Sequence, residues 1–479
     1  MNTLNGTTLN RRAFLRRTAS IVGGGAALAL LAACGDAAPA ASSTTATQAS
    51  TAQTTGAMAA TSGSTAGVSA TTSGPVATMS VAATGKQTTV TFWSALLGSK
   101  EHARSALTAA FEAANPTVKI NHQGFMDVDQ LNEKLLAAFA SGSVPDLVSN
   151  HFYYATNYAD AGQLEPLDAL MQRDGPKLET LDQALLKTGI YNGKTYSLPL
   201  YGTSRALLYN RTQVMKAGLE PDKSPQTWDE LRQWSTKMTQ RDGATLKVSG
   251  FYNDTQNEAA RDLFTMLLWS AGGDFLSADN KKATFNSPQG VKALQFWMDL
   301  IQKDKVNDVG FGQGQAGAMA PFNAGNAAMV LGGNFTSYLA RQAKVDVGIG
   351  LFPKADGGGL VAMADPFSLF IPSKAKNKDM AWQFVRFALT PEQQVAFSAD
   401  STNLPAITAA QSDAKITGNK DLAPFVEALK SAKQLPLITS YLEMWTSLSA
   451  EVQQALYGKK SAQQALDDAA SKVNGILAK

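Results

Sequence analysis

Cysteine is nearly missing from this 479-residue chain: Cys34 stands alone. No disulfide can form within the molecule, so an exported form has only its core to hold it together. Histidine is almost as scarce. The three present, His102, His122 and His151, lack the spacing of a zinc site, and neither a GxSxG nucleophile elbow nor an HExxH pair occurs. The apolar stretch from Ile21 to Ala33 stops at 13 residues, short of the ~20 that a membrane-spanning helix needs. Excess charge is missing too. The formal net charge is +3, but five of the 42 Lys and Arg and only one of the 39 Asp and Glu lie at or before residue 86, leaving 37 against 38 beyond it. That balance offers nothing to nucleic acid or to an anionic membrane surface. A GxGxxG string, Gly312 to Gly317 in FGQGQAG, follows DVGF rather than a strand-to-helix unit and reads as a flexible loop. GKKS at 458–461 lacks the upstream glycine of a phosphate-binding loop. Catalytic residues, metal and cofactors are therefore read as none, with paired carboxylates for glycoside hydrolysis the one enzymatic alternative left open.

What is present divides sharply in two. Residues 10–16, NRRAFLR, precede the apolar stretch, and the order charged, apolar, small is that of a secretory signal over 1–33. Arg11-Arg12 with Phe14-Leu15 resembles a twin-arginine export signal, with Asn10 where Ser or Thr is usual, so the general secretory route stays open. Leu31-Ala32-Ala33-Cys34 matches a bacterial lipobox, which implies acylation of Cys34 and anchoring at the outer face of the cytoplasmic membrane. The 52 residues from Gly35 to Lys86 are mostly Ala, Thr, Ser and Gly. Such a segment has too little bulky apolar surface to offset its ordering entropy, and residues 34–86 are expected to form a lipidated leash of about 40 Å mean reach.

From Gln87 onward the chain reads as globular. With 44% hydrophobic and 17% charged residues overall, it is long enough for two or three lobes. TTVTFW (88–93), TVKINHQGF and DLVSNHF read as strands; HARSALTAAFEAANP (102–116) and QLNEKLLAAFASG read as helices, the second ending at Gly142. YSLPLYGTSRALLYNR (196–211) is extended, and TWDELRQWSTKMTQ is a helix with Thr227 as N-cap and Glu230 at capping-box spacing. The last third is mostly helical. Strands alternating with helices predict an α/β fold.

The blocks TFW, FEAANPTVKI, LLAAFASGSVPDLV, YNGKTYSLPL, LLYNRTQVMKAGLEP, QTWDEL, LLWSAGGDFL and NAGNAAMVLGGNF occur in this order. Together they resemble the extracellular solute-binding proteins of carbohydrate ABC transporters, in the subfamily with the maltose and glycerol-3-phosphate binders. The resemblance implies a two-lobed periplasmic-binding-protein-like fold of type II, with a ligand cleft between the lobes and hinge crossings near Tyr201-Gly202, Asp365-Pro366 and Asn403–Pro405. Lobe 1 would be 87–202 plus 366–405, and lobe 2 would be 203–365 plus 406–479. It further implies a carbohydrate ligand, ABC permease subunits as partners, no nucleic acid and a monomer. An exported glycoside hydrolase and a sugar-sensing receptor lipoprotein not coupled to uptake are the alternative functions.

Sugars carry hydroxyls at their edges and C–H groups on their faces, so a cleft for them needs flat aromatics and directed polar side chains. By resemblance the candidates are Trp93 at the end of the first strand, Asn150 and Tyr153 after PDLV, Tyr201 before a crossing, Tyr252 beside Asn253 and Asp254, Asn334-Phe335 after Gly332-Gly333, Asp365 at the second crossing, and Glu443 with Trp445 in SYLEMW. Core packing competes for Trp93 and Trp445, a surface loop for His151, and a turn-stabilising role for Asp365. Trp228, Trp297 and Trp382 read as core, and Trp269 is ambiguous. LPLITSYLEMW lacks the arginine that glycerol-3-phosphate binders carry there, which favours a neutral sugar, although Arg205 could be near enough to serve a phosphorylated polyol instead.

Overall fold

A computed structural model describes residues 87–95, 100–312 and 319–479. The signal, Cys34 and the leash lie outside them, as does the Gly-rich string beyond Gly312. The first strand, β1 (Thr88–Ala95), is followed by α1 (Lys100–Ala114), β2 (Val118–Phe125), α2 (Val128–Ser141), β3 (Leu147–His151) and α3 (Phe152–Asp160). Each boundary has a local cause. Asp127 caps α2 by accepting from Gln130 N, and Gly142 ends it in the left-handed region at φ 77°, where a Cβ would be strained.

The extended run at 196–211 is two strands, β4 (Leu198–Gly202) and β5 (Arg205–Asn210), which join different sheets. Further on come α4 (Trp228–Met238), α5 (Asn257–Ser270), α6 (Pro288–Gln302), β6 (Met329–Gly333), α7 (Asn334–Gln342), β7 (Val347–Gly350) and β8 (Ala362–Ala364). Thr227 caps α4, its hydroxyl accepting from Glu230 N, while Glu230 reaches back to Gln226 N. The chain ends with β9 (Phe367–Phe370), α8 (Lys378–Ala388), α9 (Pro391–Ser401), β10 (Leu404–Pro405), β11 (Ala432–Gln434), α10 (Tyr441–Leu456) and α11 (Ala462–Leu477).

The larger sheet has six strands in the order β10-β4-β9-β3-β1-β2. β1 runs parallel to β2 and β3, whereas β9 is antiparallel to β3 and β4. The carboxyl ends of β1 to β4 therefore share one edge with the start of β9. Helices cover both faces: Phe92 meets Phe384 of α8 and Tyr201 meets Phe397 of α9 on one, while Phe370 meets Tyr158 of α3 on the other. Such double cover explains why LVSNH in β3 is buried at every position. The smaller sheet is antiparallel, in the order β6-β5-β7, and β8 pairs in parallel with β11. Trp228, Trp297, Trp382 and Trp269 are all buried. Among the described residues no helix is long and apolar enough to cross a membrane.

Candidate functional site

The chain passes from the larger to the smaller sheet between Gly202 and Arg205, and returns to the larger one just after Asp365. The two connections lie side by side. Thr203 N donates to Asp365 O at 3.2 Å and Asp365 N to Thr203 O at 3.1 Å. Backbone pairing thus sets both passages at the carboxyl edge of the larger sheet, the edge where open α/β sheets bind ligands.

A buried ionic network is built on this pair. Asp365, 3% exposed, holds His151 Nε2 at 2.6 Å through Oδ1 and Arg205 Nη2 at 3.0 Å through Oδ2. Thr203 Oγ1 donates to the same Oδ2 at 3.1 Å. Arg205 turns its Nε to Asp262 of α5 at 2.6 Å, and Asp262 also holds Arg261 Nη2 at 2.9 Å. Burial alone would raise the Asp365 carboxyl, but His151 and Arg205 outweigh it and hold the group well below the usual carboxylate range. Burial likewise works against the Arg205 charge, and Asp262 and Asp365 more than restore it. The network ties the end of β3 to β5 and α5.

Other sequence candidates gather at this seam. Asn150 is fully buried; its Oδ1 accepts from His151 N at 2.8 Å, and its Nδ2 has no hydrogen-bond partner among the described residues. Its sheet partner is Ser368, whose buried hydroxyl is likewise unpaired. Tyr153 lies 4.2 Å from the His151 ring and 5.7 Å from that of Tyr441 on α10, centroid to centroid. Asn334, at the start of α7, donates Nδ2 to Thr402 O at 2.7 Å, and its Oδ1 has no partner among the described residues. Tyr201 is sandwiched between Phe367 and Phe397 with centroids 5.1 and 5.5 Å away.

The remaining candidates have other neighbours. Trp93 is half-buried and edge-on to Phe125 at 5.5 Å. Tyr252 is buried in the cluster around the smaller sheet, its ring 6.0 Å from Phe311, and burial followed by Asp254 pushes its hydroxyl up to about 12. Phe335 is half-buried and stacked on Tyr338 at 6.4 Å. Glu443 is exposed, with Lys479 Nζ 3.9 Å away. Trp445 is 9% exposed and belongs to the main core cluster. Sequence reasoning missed the roles of His151, Arg205 and Asp262 in the network; the visible signal was Arg205 heading the apolar run 206–209.

The model of the bacterial extracellular solute-binding proteins matches residues 97–395, more than half of the chain. The chain belongs to that family. It is a family of exported binding proteins, not of enzymes. A curated relative, the sn-glycerol-3-phosphate-binding periplasmic protein UgpB of Salmonella typhimurium, is 24% identical over 417 residues, spanning 81% of this chain and 92% of its own. Among solved structures, the cyclic alpha-maltosyl-1,6-maltose binding protein of Arthrobacter globiformis is 26% identical with a TM-score of 0.72, covering 82% of this chain and 99% of its own. A solute-binding protein of an ABC transporter from Thermotoga lettingae, bound with alpha-D-tagatose, is 26% identical with a TM-score of 0.71, covering 82% and 100%. The fold is accordingly two-lobed α/β of type II, and the seam at Asp365 lies where the chain passes between its two principal sheets.

Proposed function

We propose that this chain is the substrate-binding lipoprotein of an ABC importer, capturing a sugar or oligosaccharide between its lobes and delivering it to a membrane permease. The observation that carries the reading is the pair of sheet-to-sheet passages at Thr203 and Asp365, bound to each other and surrounded by buried polar side chains with unused hydrogen-bonding capacity. Asn150 Nδ2, Ser368 Oγ and Asn334 Oδ1 are buried groups of the kind that edge-on sugar hydroxyls satisfy. The solved relatives named for a cyclic maltosyl-maltose and for tagatose support a carbohydrate ligand.

Strand membership supports lobe limits of 87–202 plus 366–405 and 203–365 plus 406–479: β4 and β10 belong to the larger sheet, β5 to the smaller, and β8 to the pair with β11. Trp93, Asn150, Tyr153, Tyr201, Tyr252, Asn334, Phe335, Asp365, Glu443 and Trp445 are the proposed ligand set. Asp365 contributes from behind, since both its oxygens are engaged by His151, Arg205 and Thr203. Cys34 carries the lipid anchor, the protein acts as a monomer, and the ligand stabilises the closed form by binding it better than the open one.

A thermal-shift screen against mono- and oligosaccharides tests the function. A sugar present at about 100 times its dissociation constant adds about 2.7 kcal/mol of stability. A protein that responds to no sugar overturns the carbohydrate reading, and small-angle scattering that shows no compaction with a bound sugar overturns the closure.

A further inference from the structure

Strand register places Ser94, Ser149, His151, Phe367 and Tyr201 on one face of the larger sheet, at its carboxyl edge. α1 lays Arg104 against that face. In HARSALTAAF, Arg104 occupies the stripe of Leu107 and Phe111, where the helical period calls for an apolar residue, and it is 0% exposed. Its Nη2 donates to Tyr201 Oη at 3.2 Å, and its guanidinium carbon is 5.9 Å from the Tyr201 ring centre. Among the described residues Nε and Nη1 have no hydrogen-bond partner. Two neighbours on the same face, Ser149 Oγ and His151 Nδ1, are also buried and without a hydrogen-bond partner among the described residues.

Arg104 forms no ion pair with a carboxylate of the described residues. Asp365 is taken up by His151 and Arg205. Glu101 is exposed and is directed at His122 Nδ1, 4.0 Å away. His122, with Nε2 2.7 Å from Ser94 Oγ, is pushed down to about 4 by burial and then by Arg104 itself, so it stays neutral near pH 7. A fixed positive charge thus sits in the interior with unused N–H groups, an arrangement strongly unfavourable until an anion meets it. We propose that Arg104 is an anion-recognition residue of this edge, receiving one singly charged group: either the carboxylate of a bound sugar acid or a free small anion of the chloride or formate class. The first source rests on the carbohydrate reading above; the second does not. A preference for neutral ligands, drawn from the arginine missing after LPLI, leaves this cation out of account.

The test is thermal unfolding of the purified protein in low-chloride HEPES, with ionic strength held by a bulky sulfonate, titrated with chloride, formate, glucuronate and glucose. A saturable rise in melting temperature with chloride or formate, lost in Arg104→Met, assigns a free anion. Glucuronate binding at least about tenfold tighter than glucose, with that preference lost in Arg104→Met, assigns a ligand carboxylate. Should no sugar bind while the chloride response still depends on Arg104, the carbohydrate reading falls and the anion site stands. No saturable response in the wild type, or an equal one in Arg104→Met, overturns the proposal. If Arg104→Met does not fold, Arg104→Lys, which keeps the charge and loses the fork, should weaken the responding anion about tenfold; unchanged affinity overturns it.

Discussion

Replacing Asp365 by alanine leaves the backbone pairing of the two passages in place and removes the carboxylate that ties them to His151 and Arg205. Its side chain neutralises Arg205 at 3.0 Å, orients His151 at 2.6 Å and accepts from Thr203 Oγ1 at 3.1 Å. Breaking a buried ion pair by removing one partner costs about 3–5 kcal/mol, because the other charge stays in the interior. Arg205 keeps Asp262 at 2.6 Å, so half of its compensation survives and the expected loss is about 3 kcal/mol. Urea unfolding at pH 7 reads this as a lower midpoint at unchanged slope. The effect also carries a sign in pH. The Asp365 carboxyl is depressed in the folded state, so its contribution is complete above the unfolded Asp value of about 4 and is lost as pH falls through the folded value. The gap between wild type and Asp365→Ala should therefore narrow at pH 3. A loss below about 1 kcal/mol at pH 7, of the size of an exposed pair, or a gap that widens in acid, would refute the view that this carboxylate is ionised and buried at the seam.

Four further outcomes are expected. Asp146 accepts from Thr91 N, Lys376 N and Asn377 N at 2.9, 3.1 and 2.9 Å, so Asp146→Ala should cost about 1–3 kcal/mol at pH 7. Burial raises that carboxyl but the bonds from Thr91 and Asn377 lower it further, and the loss should shrink as acid protonates it, read by midpoints at pH 7 and pH 3. Phe335→Ala should abolish the thermal shift given by a binding sugar while leaving the sugar-free melting temperature nearly unchanged, because the ring is only half-buried; Trp445→Ala, in the core, should lower sugar-free stability by about 3–5 kcal/mol. Cys34→Ser should yield protein of unlipidated mass in the soluble fraction that binds sugar with unchanged affinity, as judged by mass spectrometry and the same thermal assay.

The elements were legible wherever a local rule decides them. Gly142 ends α2 because a left-handed residue is needed there, and Thr227 caps α4 because its hydroxyl reaches an otherwise unbonded N–H. The run at 196–211 was harder. Both strands are apolar and extended, and it is their partners, β9 and β10 for one and β6 with β7 for the other, that separate them. The site was legible in residue type and not in geometry. Asp365 stood out as an isolated carboxylate in an apolar stretch, but that it meets His151, 214 positions earlier, depends on β3 and β9 lying side by side, with His151 opposite Phe367. Arg104 was visible as a charge on an apolar stripe, and reading it needed Tyr201 from another strand.

The state of each polar group at the seam separates architecture from recognition. Asp365 has an ion-pair partner on each oxygen, and Arg205 is shared between two carboxylates; groups whose charge is already balanced in this way fix the passages more than they tell one ligand from another. Discrimination needs a buried group that is unsatisfied until the right partner arrives, because the penalty for leaving it unpaired then falls only on the wrong one. Asn150 Nδ2 and Ser368 Oγ lie opposite each other in the sheet, and Asn334 Oδ1 belongs to a side chain already bonded across to Thr402. A ligand that met these together would draw on the larger sheet and on α7 at once. Its binding free energy would then depend on how the two lobes sit, which is the differential affinity that closure requires.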